Sequence, residues 1–165
     1  MYLFFDTETT GLPRSWKAPL EDLANWPRLV QIAWLLFDTD GHEISREKAI
    51  IYGLPLVKIL EAFQEQLQMA SHAVAHNISF DEKIVGAEFM RKEINNPLPF
   101  RNRICTMKST TNYCKIKNRR GNKWPKLGEL HQKLFEENFE DAHDAMADIH
   151  ATAKCFWELR RRAVL

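Results

Sequence analysis

The stretch that most constrains the fold is YLFFDTETTG, residues 2–11. Its opening residues are apolar or aromatic, as in a buried strand, and Gly11 marks a turn. Because strand side chains alternate between faces, Asp6 and Glu8 leave on the same side. The pair is either an exposed strand end or one half of a cation site. Carboxylate oxygens at the carboxyl end of a buried strand favour the second interpretation, with Mg²⁺ or Mn²⁺ rather than zinc.

Size and composition indicate a globular protein. The chain has 165 residues, of which 45% are hydrophobic and 27% charged. These values predict one domain over residues 1–165 and exclude disordered and fibrous classes. The formal net charge of +1 argues against a partner held by overall charge.

The cysteines and the N-terminus predict a cytoplasmic protein. Cys105, Cys114 and Cys155 are odd in number and form no C-x-x-C pair, which disfavours a disulfide scaffold or a zinc–thiolate site. Asp6 follows only five residues, too few for a secretory signal. Since no apolar run approaches the roughly 20 residues that cross a bilayer, we expect no membrane partner.

Hydrophobic periodicity predicts an α/β domain with a mixed sheet. Three strands come first, the second and third joined by a hairpin turn at Asp40-Gly41, and strand–helix alternation follows. The predicted strands are 2–6, 28–38, 43–52, 73–77 and 103–107. The predicted helices begin at Pro55, at Ser79 with a Ser79/Glu82 capping box, near 107, near 127 and near 142, the last ending near 162.

A third carboxylate, Asp81, follows the fourth predicted strand in AHNISFD. An acid in the first turn of a helix often only stabilises the helix dipole. Asp81 nevertheless lies near a strand's carboxyl end, as Asp6 and Glu8 do, where α/β sheets bind ligands. Asn77 in the same stretch is either a turn residue or part of that site.

The last helix carries HDAMAD, with His143 and Asp148 five residues apart. That separation is roughly 140° of helical rotation, so the two side chains do not share one face of a regular helix. Asp148 falls on the packing side with Thr152 and Cys155, where an acid is costly unless positive charge meets it. A lone histidine in this position is more often structural than catalytic.

Three motifs together resemble the DEDDh (DnaQ-like) family of 3′→5′ exonucleases. FDTETTG matches F-D-x-E-T-T-G, HNISFD matches H-N-x-x-F-D, and HDAMAD matches H-x-A-x-x-D, in the family's order. This family includes the proofreading subunit of bacterial DNA polymerase III, ribonuclease T and oligoribonuclease. The resemblance spans residues 2 to about 160.

The resemblance implies a ribonuclease H-like fold, with a five-stranded mixed sheet whose first three strands are antiparallel, flanked by helices. It also implies two divalent ions, Mg²⁺ or Mn²⁺, and a histidine general base. The implied catalytic and metal-binding residues are Asp6, Glu8, Asp81 and Asp148, with His143 as the base. The implied substrate contacts are Thr9, Thr10, Gly11 and Leu12 along the terminal nucleotide, and Asn77 and Phe80 lining the cleft.

One departure from the family and one basic loop affect substrate binding. Family members usually carry an H-G-I-T-like substrate segment before the first helix, whereas KAIIYGLPLVKILEAF runs almost directly from strand to helix. Either the terminal nucleotide is held by fewer contacts, or part of a mobile loop is absent from this sequence. The segment KIKNRRGNKWPK, residues 115–126, has six cations, no acid and one Trp. It is either a solvated loop or the entry for a single strand.

These features predict a metal-dependent 3′→5′ exonuclease acting on single-stranded nucleic acid, in the first place DNA as in proofreading. The alternatives are an exoribonuclease of the same family and a non-catalytic nucleic-acid-binding or polymerase-docking module. A phosphatase would need a nucleophilic Asp or a phosphate-cradling glycine loop, and neither is apparent. The expected partner is a nucleic acid 3′ end, and a polymerase or a second copy of the chain is a further possibility.

Overall fold

The computed structural model of the protein describes residues 1–51, 55–137 and 144–165. Its centre is a five-stranded sheet with strand order β3-β2-β1-β4-β5. β1, β2 and β3 are antiparallel neighbours, and β4 and β5 run parallel to β1. This mixed sheet, flanked by helices, confirms the predicted fold class. The strands are β1 Tyr2–Thr9, β2 Leu29–Phe37, β3 Glu43–Ile50, β4 His72–Ala75 and β5 Asn102–Cys105.

Six helices and a short hairpin complete the described part of the chain. The helices are α1 Leu56–Met69, α2 Ile78–Arg91, α3 Thr106–Ser109, α4 Thr111–Cys114, α5 Leu127–Phe135 and α6 Ala145–Arg161. A 3₁₀ turn covers Leu98–Phe100, and the basic loop forms the hairpin β6 Lys117–Asn118 and β7 Gly121–Asn122. No helix in the described ranges is long and apolar enough to span a bilayer.

Some predicted boundaries were wrong for local reasons. β1 continues to Thr9, three residues past the predicted end, because pairing with β2 extends beyond the apolar run. The capping box of Ser79 and Glu82 is absent, since α2 begins at Ile78. Its N-cap is Asn77, whose φ of 75° turns the chain sharply out of β4. The predicted helix near 107 is two short helices, α3 and α4.

The two faces of β1 pack against different helices. Leu3 and Phe5 join the core formed with α1 and α2, where Phe63 is completely buried. Tyr2 and Phe4 join the core formed with α6. Because the alternation continues along the strand, Asp6 and Glu8 face α6, whereas Thr7 faces α2. The side chains at the acidic end of β1 thus point toward two different helices, one on each face of the sheet.

Candidate active site

Three carboxylates meet where β1 faces the first turn of α6. Ligand oxygens of Asp6, Glu8 and Asp148 all lie within 4.8 Å of one another. The register between β1 and β2 shifts between Glu8 and Thr9, an irregularity of the kind that redirects side chains beside functional sites. Two of the acids come from one strand face and the third from a helix, so tertiary folding is needed to assemble this acidic trio.

Burial and electrostatic repulsion act together on Asp6. Burial raises the pKa of the Asp6 carboxyl well above its usual value, and the charges of Asp81, Asp148 and Glu8 raise it further. A carboxylate surrounded by three others is costly to ionise without positive charge nearby. A cation bound beside Asp6 would therefore relieve this repulsion.

The acidic trio fits a hard divalent cation. All three residues offer oxygen only, the donor type preferred by Mg²⁺ and Mn²⁺. Oxygens on opposite sides of Mg²⁺ are about 4.2 Å apart, given bonds of about 2.1 Å. A spread of at most 4.8 Å needs only small side-chain adjustments to reach that spacing.

A second group of ligand-type side chains has a structural explanation. Asp38, Asp40 and His42 also come within 4.8 Å of one another, on the turn between β2 and β3. Asp38 Oδ1 accepts hydrogen bonds from the backbone N–H groups of Asp40 and His42, both at 2.9 Å. These bonds close the turn, and Asp40 and His42 are exposed. The group is a hairpin turn held by an aspartate side chain.

Asp81 approaches the site on the other side of β1. The residue is only 2% exposed, and its Oδ1 accepts hydrogen bonds from Thr7 Oγ1 at 2.7 Å and from the Thr7 N–H at 3.1 Å. Burial raises the pKa of Asp81 to about 7, although the hydrogen bonds from Thr7 oppose the rise. Asp81 lies outside the acidic trio, but its charge contributes to the raised pKa of Asp6.

Thr7 is a residue that the sequence analysis missed. It occupies the variable position between Asp6 and Glu8 and fixes the carboxylate of Asp81 through two hydrogen bonds. Strand alternation was the available signal, because Thr7 follows Leu3 and Phe5 on the face toward α2. A threonine on such an apolar face needs a polar partner.

The start of α6 is fixed by Asp144. Its Oδ1 caps the helix by accepting from the N–H groups of Met146 and Ala147, at 3.0 and 3.2 Å. Its Oδ2 accepts from Lys48 Nζ of β3 at 2.5 Å. The hydrogen bond from Lys48 is the main reason that the pKa of Asp144 is lowered. The predicted base, His143, lies outside the described residues.

The turn that follows β1 carries four predicted substrate contacts. Thr9 is half-buried, and its Oγ1 donates to the Gly11 carbonyl at 2.7 Å. Thr10 exchanges two hydrogen bonds with the backbone of Arg28, at 3.0 and 3.1 Å. Leu12 projects from this turn with 75% of its surface exposed. The turn is therefore fixed in place while Leu12 remains free to meet a ligand.

The second motif contributes a histidine that the sequence analysis did not select. His76 Nε2 lies 3.0 Å from the Pro125 carbonyl, which can only accept, so this nitrogen carries the proton. His76 Nδ1 then accepts from Thr106 Oγ1 at 2.9 Å. Burial lowers the pKa of His76, consistent with a neutral ring. His76 thus ties the end of the basic loop to the end of β4.

The two remaining predicted contacts lie at the start of α2. Asn77 lines a cleft beside that helix, together with Trp16 and Trp124. Phe80 is half-buried, and its ring centroid lies 5.7 Å from that of Trp16. The Thr10–Leu12 turn lines a different cavity, alongside Arg14 and Arg28. Of the predicted substrate contacts, Asn77 thus lines one depression, whereas Thr10, Gly11 and Leu12 line another.

Comparison with known proteins adds a family and a fold. Residues 46–156 match the model of the family described as exonuclease, RNase_T. The match covers more than half of the chain and includes the second and third motifs. A search of curated proteins gives no match.

Solved structures of exonuclease I share the fold. Escherichia coli exonuclease I in complex with a dT13 oligonucleotide superposes with a TM-score of 0.72 at 19% identity, covering 98% of this chain and 41% of that one. Exonuclease I from Methylocaldum szegediense gives 0.68 at 18% identity, covering 98% and 40%. The zinc-bound form of the E. coli enzyme with single-stranded DNA gives 0.65 at 18% identity, with the same coverage. The chain thus spans about two-fifths of the length of these proteins, and at such identities the likeness establishes the fold.

Proposed function

The chain belongs to the exonuclease family, and from that premise we propose that it is a metal-dependent 3′→5′ exonuclease of the DEDDh type. Its substrate is single-stranded nucleic acid, and residues 1–165 form one exonuclease domain. The observation that carries the proposal is the meeting of Asp6, Glu8 and Asp148 within 4.8 Å. Carboxylates so close together favour divalent metal, which phosphodiester hydrolysis commonly uses.

The four acids divide into two sets of ligands. Asp6, Glu8 and Asp148 would hold one ion, and Asp6 with Asp81 a second, either directly or through water. When bound, such ions neutralise charge on the phosphate and lower the pKa of water. The protein's own contribution is to present these oxygens from a rigid strand and two helices, so that little reorganisation is needed on binding.

His143 is the proposed general base. It takes one proton from the attacking water, whose oxygen bonds to the phosphorus at the 3′-terminal linkage. The bond from phosphorus to the 3′ oxygen of the preceding nucleotide breaks, and that oxygen takes up a proton. A nucleoside 5′-monophosphate leaves, and the shortened strand has a new 3′ hydroxyl. An imidazole with a pKa near neutrality suits this role.

The turn after β1 and the start of α2 would hold the terminal nucleotide. Backbone amides of Thr9, Thr10 and Gly11 would meet its polar groups, and the exposed Leu12 would contact its sugar and base. Asn77 and Phe80 would line the other side. The missing H-G-I-T-like segment reduces the number of contacts, so we expect weaker binding of the terminal nucleotide than in typical family members.

DNA is the proposed substrate and RNA the alternative. The exonuclease I structures that share this fold include complexes with oligo(dT), which supports a DNA 3′ end. A non-catalytic docking module is less well supported, because the sequence retains all five motif residues. Association with a polymerase or a second copy of the chain stays a prediction, to be tested by size-exclusion chromatography with each partner.

The test uses 5′-labelled DNA and RNA oligonucleotides with Mg²⁺, Mn²⁺ or chelator. We expect a ladder that shortens stepwise from the 3′ end, requires metal and is faster on DNA. A ladder formed only from RNA would show that RNA is the substrate, and cleavage from the 5′ end would reject the proposal.

His143→Ala should slow hydrolysis by about 10²- to 10⁴-fold while Mg²⁺ still raises the melting temperature. His150→Ala, a second histidine nearby in the chain, is the matched control and should keep its activity.

A further inference from the structure

The cleft that Asn77 lines beside the start of α2 has a volume of about 460 Å³. Two tryptophans lie in its walls, Trp16 with 54% and Trp124 with 60% of their surface exposed. Two large exposed aromatic residues that line one cleft indicate a binding surface more strongly than single exposed apolar residues do. The full lining is Trp16, Asn77, Ser79, Lys83, Met107 and Trp124.

The charge around this cleft is positive. Its described lining contains Lys83 and no carboxylate. Lys108 lies close by, with its Nζ 5.9 Å from the centre of the Trp124 ring. The loop that carries Trp124 is residues 115–126, with six cations and no acid. Aromatic rings among lysines are the combination that binds single-stranded nucleic acid, because bases stack on the rings and phosphates meet the cations.

Both tryptophans are attached to ordered parts of the protein. Trp124 precedes Pro125, whose carbonyl accepts a hydrogen bond from the half-buried His76. Trp16 follows Ser15, which is fixed by two hydrogen bonds to the side chain of the buried Asn25, at 2.7 and 3.0 Å. A pre-formed pair of rings loses little conformational entropy when a ligand binds.

The position of the cleft connects it to the acidic site. Asn77 and Ser79 in its wall lie in the turn that opens α2, and Asp81 follows within that same turn. The ring of Phe80, the residue before Asp81, contacts that of Trp16. A strand whose 3′ end reaches the carboxylates would therefore have neighbouring nucleotides within reach of this cleft.

We propose that this cleft binds unpaired bases of the strand upstream of the terminal nucleotide, stacked on Trp16 and Trp124. The inference rests on the proposed function and extends it, since it specifies how the enzyme selects single strands. A base can stack on these rings only when its face is free of neighbouring base pairs. Duplex ends therefore lose this contribution to binding.

Binding is measured in chelator, so that no hydrolysis occurs. Trp124→Leu should weaken binding of a single-stranded 12-mer by about 5- to 150-fold, the range measured when one stacking ring is removed. The matched control is Phe100→Leu, an aromatic residue that is 80% exposed at the opposite end of β5. It should bind the 12-mer as the wild type does. Equal affinity of Trp124→Leu and wild type would overturn the proposal.

An abasic scan locates the contact along the strand. A single abasic site is moved through the 12-mer from the 3′ end, and one or two upstream positions should weaken binding to the wild type. Those positions should stop mattering in Trp124→Leu, because the stacking partner is gone. A scan in which only the terminal nucleotide matters, or in which both proteins respond alike, would contradict the proposal.

The two proposals fail in different ways. If the wild type shortens oligonucleotides and Trp124→Leu binds them normally, the cleft proposal is wrong and the exonuclease proposal stands. If the wild type never hydrolyses them but Trp124→Leu loses affinity and the abasic pattern, the cleft binds nucleic acid in a protein that is not an exonuclease. A cleft that serves a protein partner instead would leave the affinity of the Trp16→Leu/Trp124→Leu double variant for the 12-mer unchanged.

Discussion

The two sides of β1 hold their carboxylates by different means. On the α2 side, Asp81 is 2% exposed and accepts two hydrogen bonds from Thr7. On the α6 side, Asp6, Glu8 and Asp148 are partly exposed and crowd within 4.8 Å of one another. The Asp81 carboxylate is thus fixed by two neutral donors, whereas the charges of neighbouring carboxylates raise the pKa of Asp6.

This difference indicates which part of the site depends on metal. Hydrogen bonds from Thr7 position Asp81 whether or not a cation is present. Three ionised carboxylates at such short range repel one another, and a bound divalent cation would offset that repulsion. We therefore expect the acidic trio on the α6 side to determine metal affinity. On the α2 side, we expect Thr7 to orient Asp81, a ligand whose position does not depend on metal.

Asp6→Asn should reduce hydrolysis by about a thousandfold or more, because Asp6 is proposed to hold both ions and its loss would remove several kcal/mol of transition-state stabilisation. The same change should raise the melting temperature in chelator, since it removes a charge that three other acids repel. Single-turnover hydrolysis and thermal unfolding measure the two effects. A variant that loses activity and also becomes less stable in chelator would show that the Asp6 carboxylate stabilises the fold, instead of being destabilised by the neighbouring charges.

The contribution of Asp81 to the stability of the metal-free protein should decrease as pH rises. The pKa of Asp81 is about 7 in the folded protein and near 3.8 when exposed, so the folded state binds more protons between these values. The stabilisation from this group is therefore complete below about pH 4 and is lost as pH rises through about 7. The raised pKa of Asp6 acts in the same direction. Chemical unfolding in chelator from pH 5 to 8 measures the slope.

The control for this pH effect is Asp81→Asn, which removes the titrating group and should flatten part of the slope. Saturating Mg²⁺ should flatten it further and raise the melting temperature by about 5 to 10 °C, from about 2.7 kcal/mol at a hundredfold excess over Kd. A wild type whose stability increases between pH 5 and 8 in chelator, relative to Asp81→Asn, would contradict the assigned direction.

Thr7→Val should slow hydrolysis by about 10- to 100-fold, the usual effect of losing a group that orients a metal ligand. The valine keeps the N–H bond to Asp81 and the shape of the side chain but removes the 2.7 Å hydroxyl bond. Thr7→Ser retains the hydroxyl and should recover most of the rate. Metal titrations distinguish the two sides of β1, because Thr7→Val should lower the affinity for the first ion less than Asp6→Asn does.

Sequence reasoning identified those parts of the molecule that local patterns determine. Strand alternation predicted that Asp6 and Glu8 share a face, and hairpin and helix signals predicted the order of the elements. Family resemblance supplied the idea that Asp148 joins them, since no spacing rule connects residues so far apart in the chain. Thr7 and His76 were missed because their roles depend on partners from other elements. Ser79 was misassigned because a left-handed Asn77 begins α2 one residue earlier.

Lys48→Met should have the smallest effect on the rate of hydrolysis. It tests whether the position of α6 depends on the ion pair between Lys48 and Asp144. Lys48 Nζ binds the Asp144 carboxylate that caps α6, four residues before Asp148. Because both side chains are partly exposed, the pair should contribute only about 0.2 to 1 kcal/mol, and its loss should lower the rate a few-fold at limiting Mg²⁺. A double-mutant cycle with Asp144→Asn measures the coupling energy. Lys48→Met could instead slow hydrolysis as much as Thr7→Val does. The position of Asp148 would then depend on Lys48 as strictly as that of Asp81 depends on Thr7. That result would contradict the contrast between the two sides of β1.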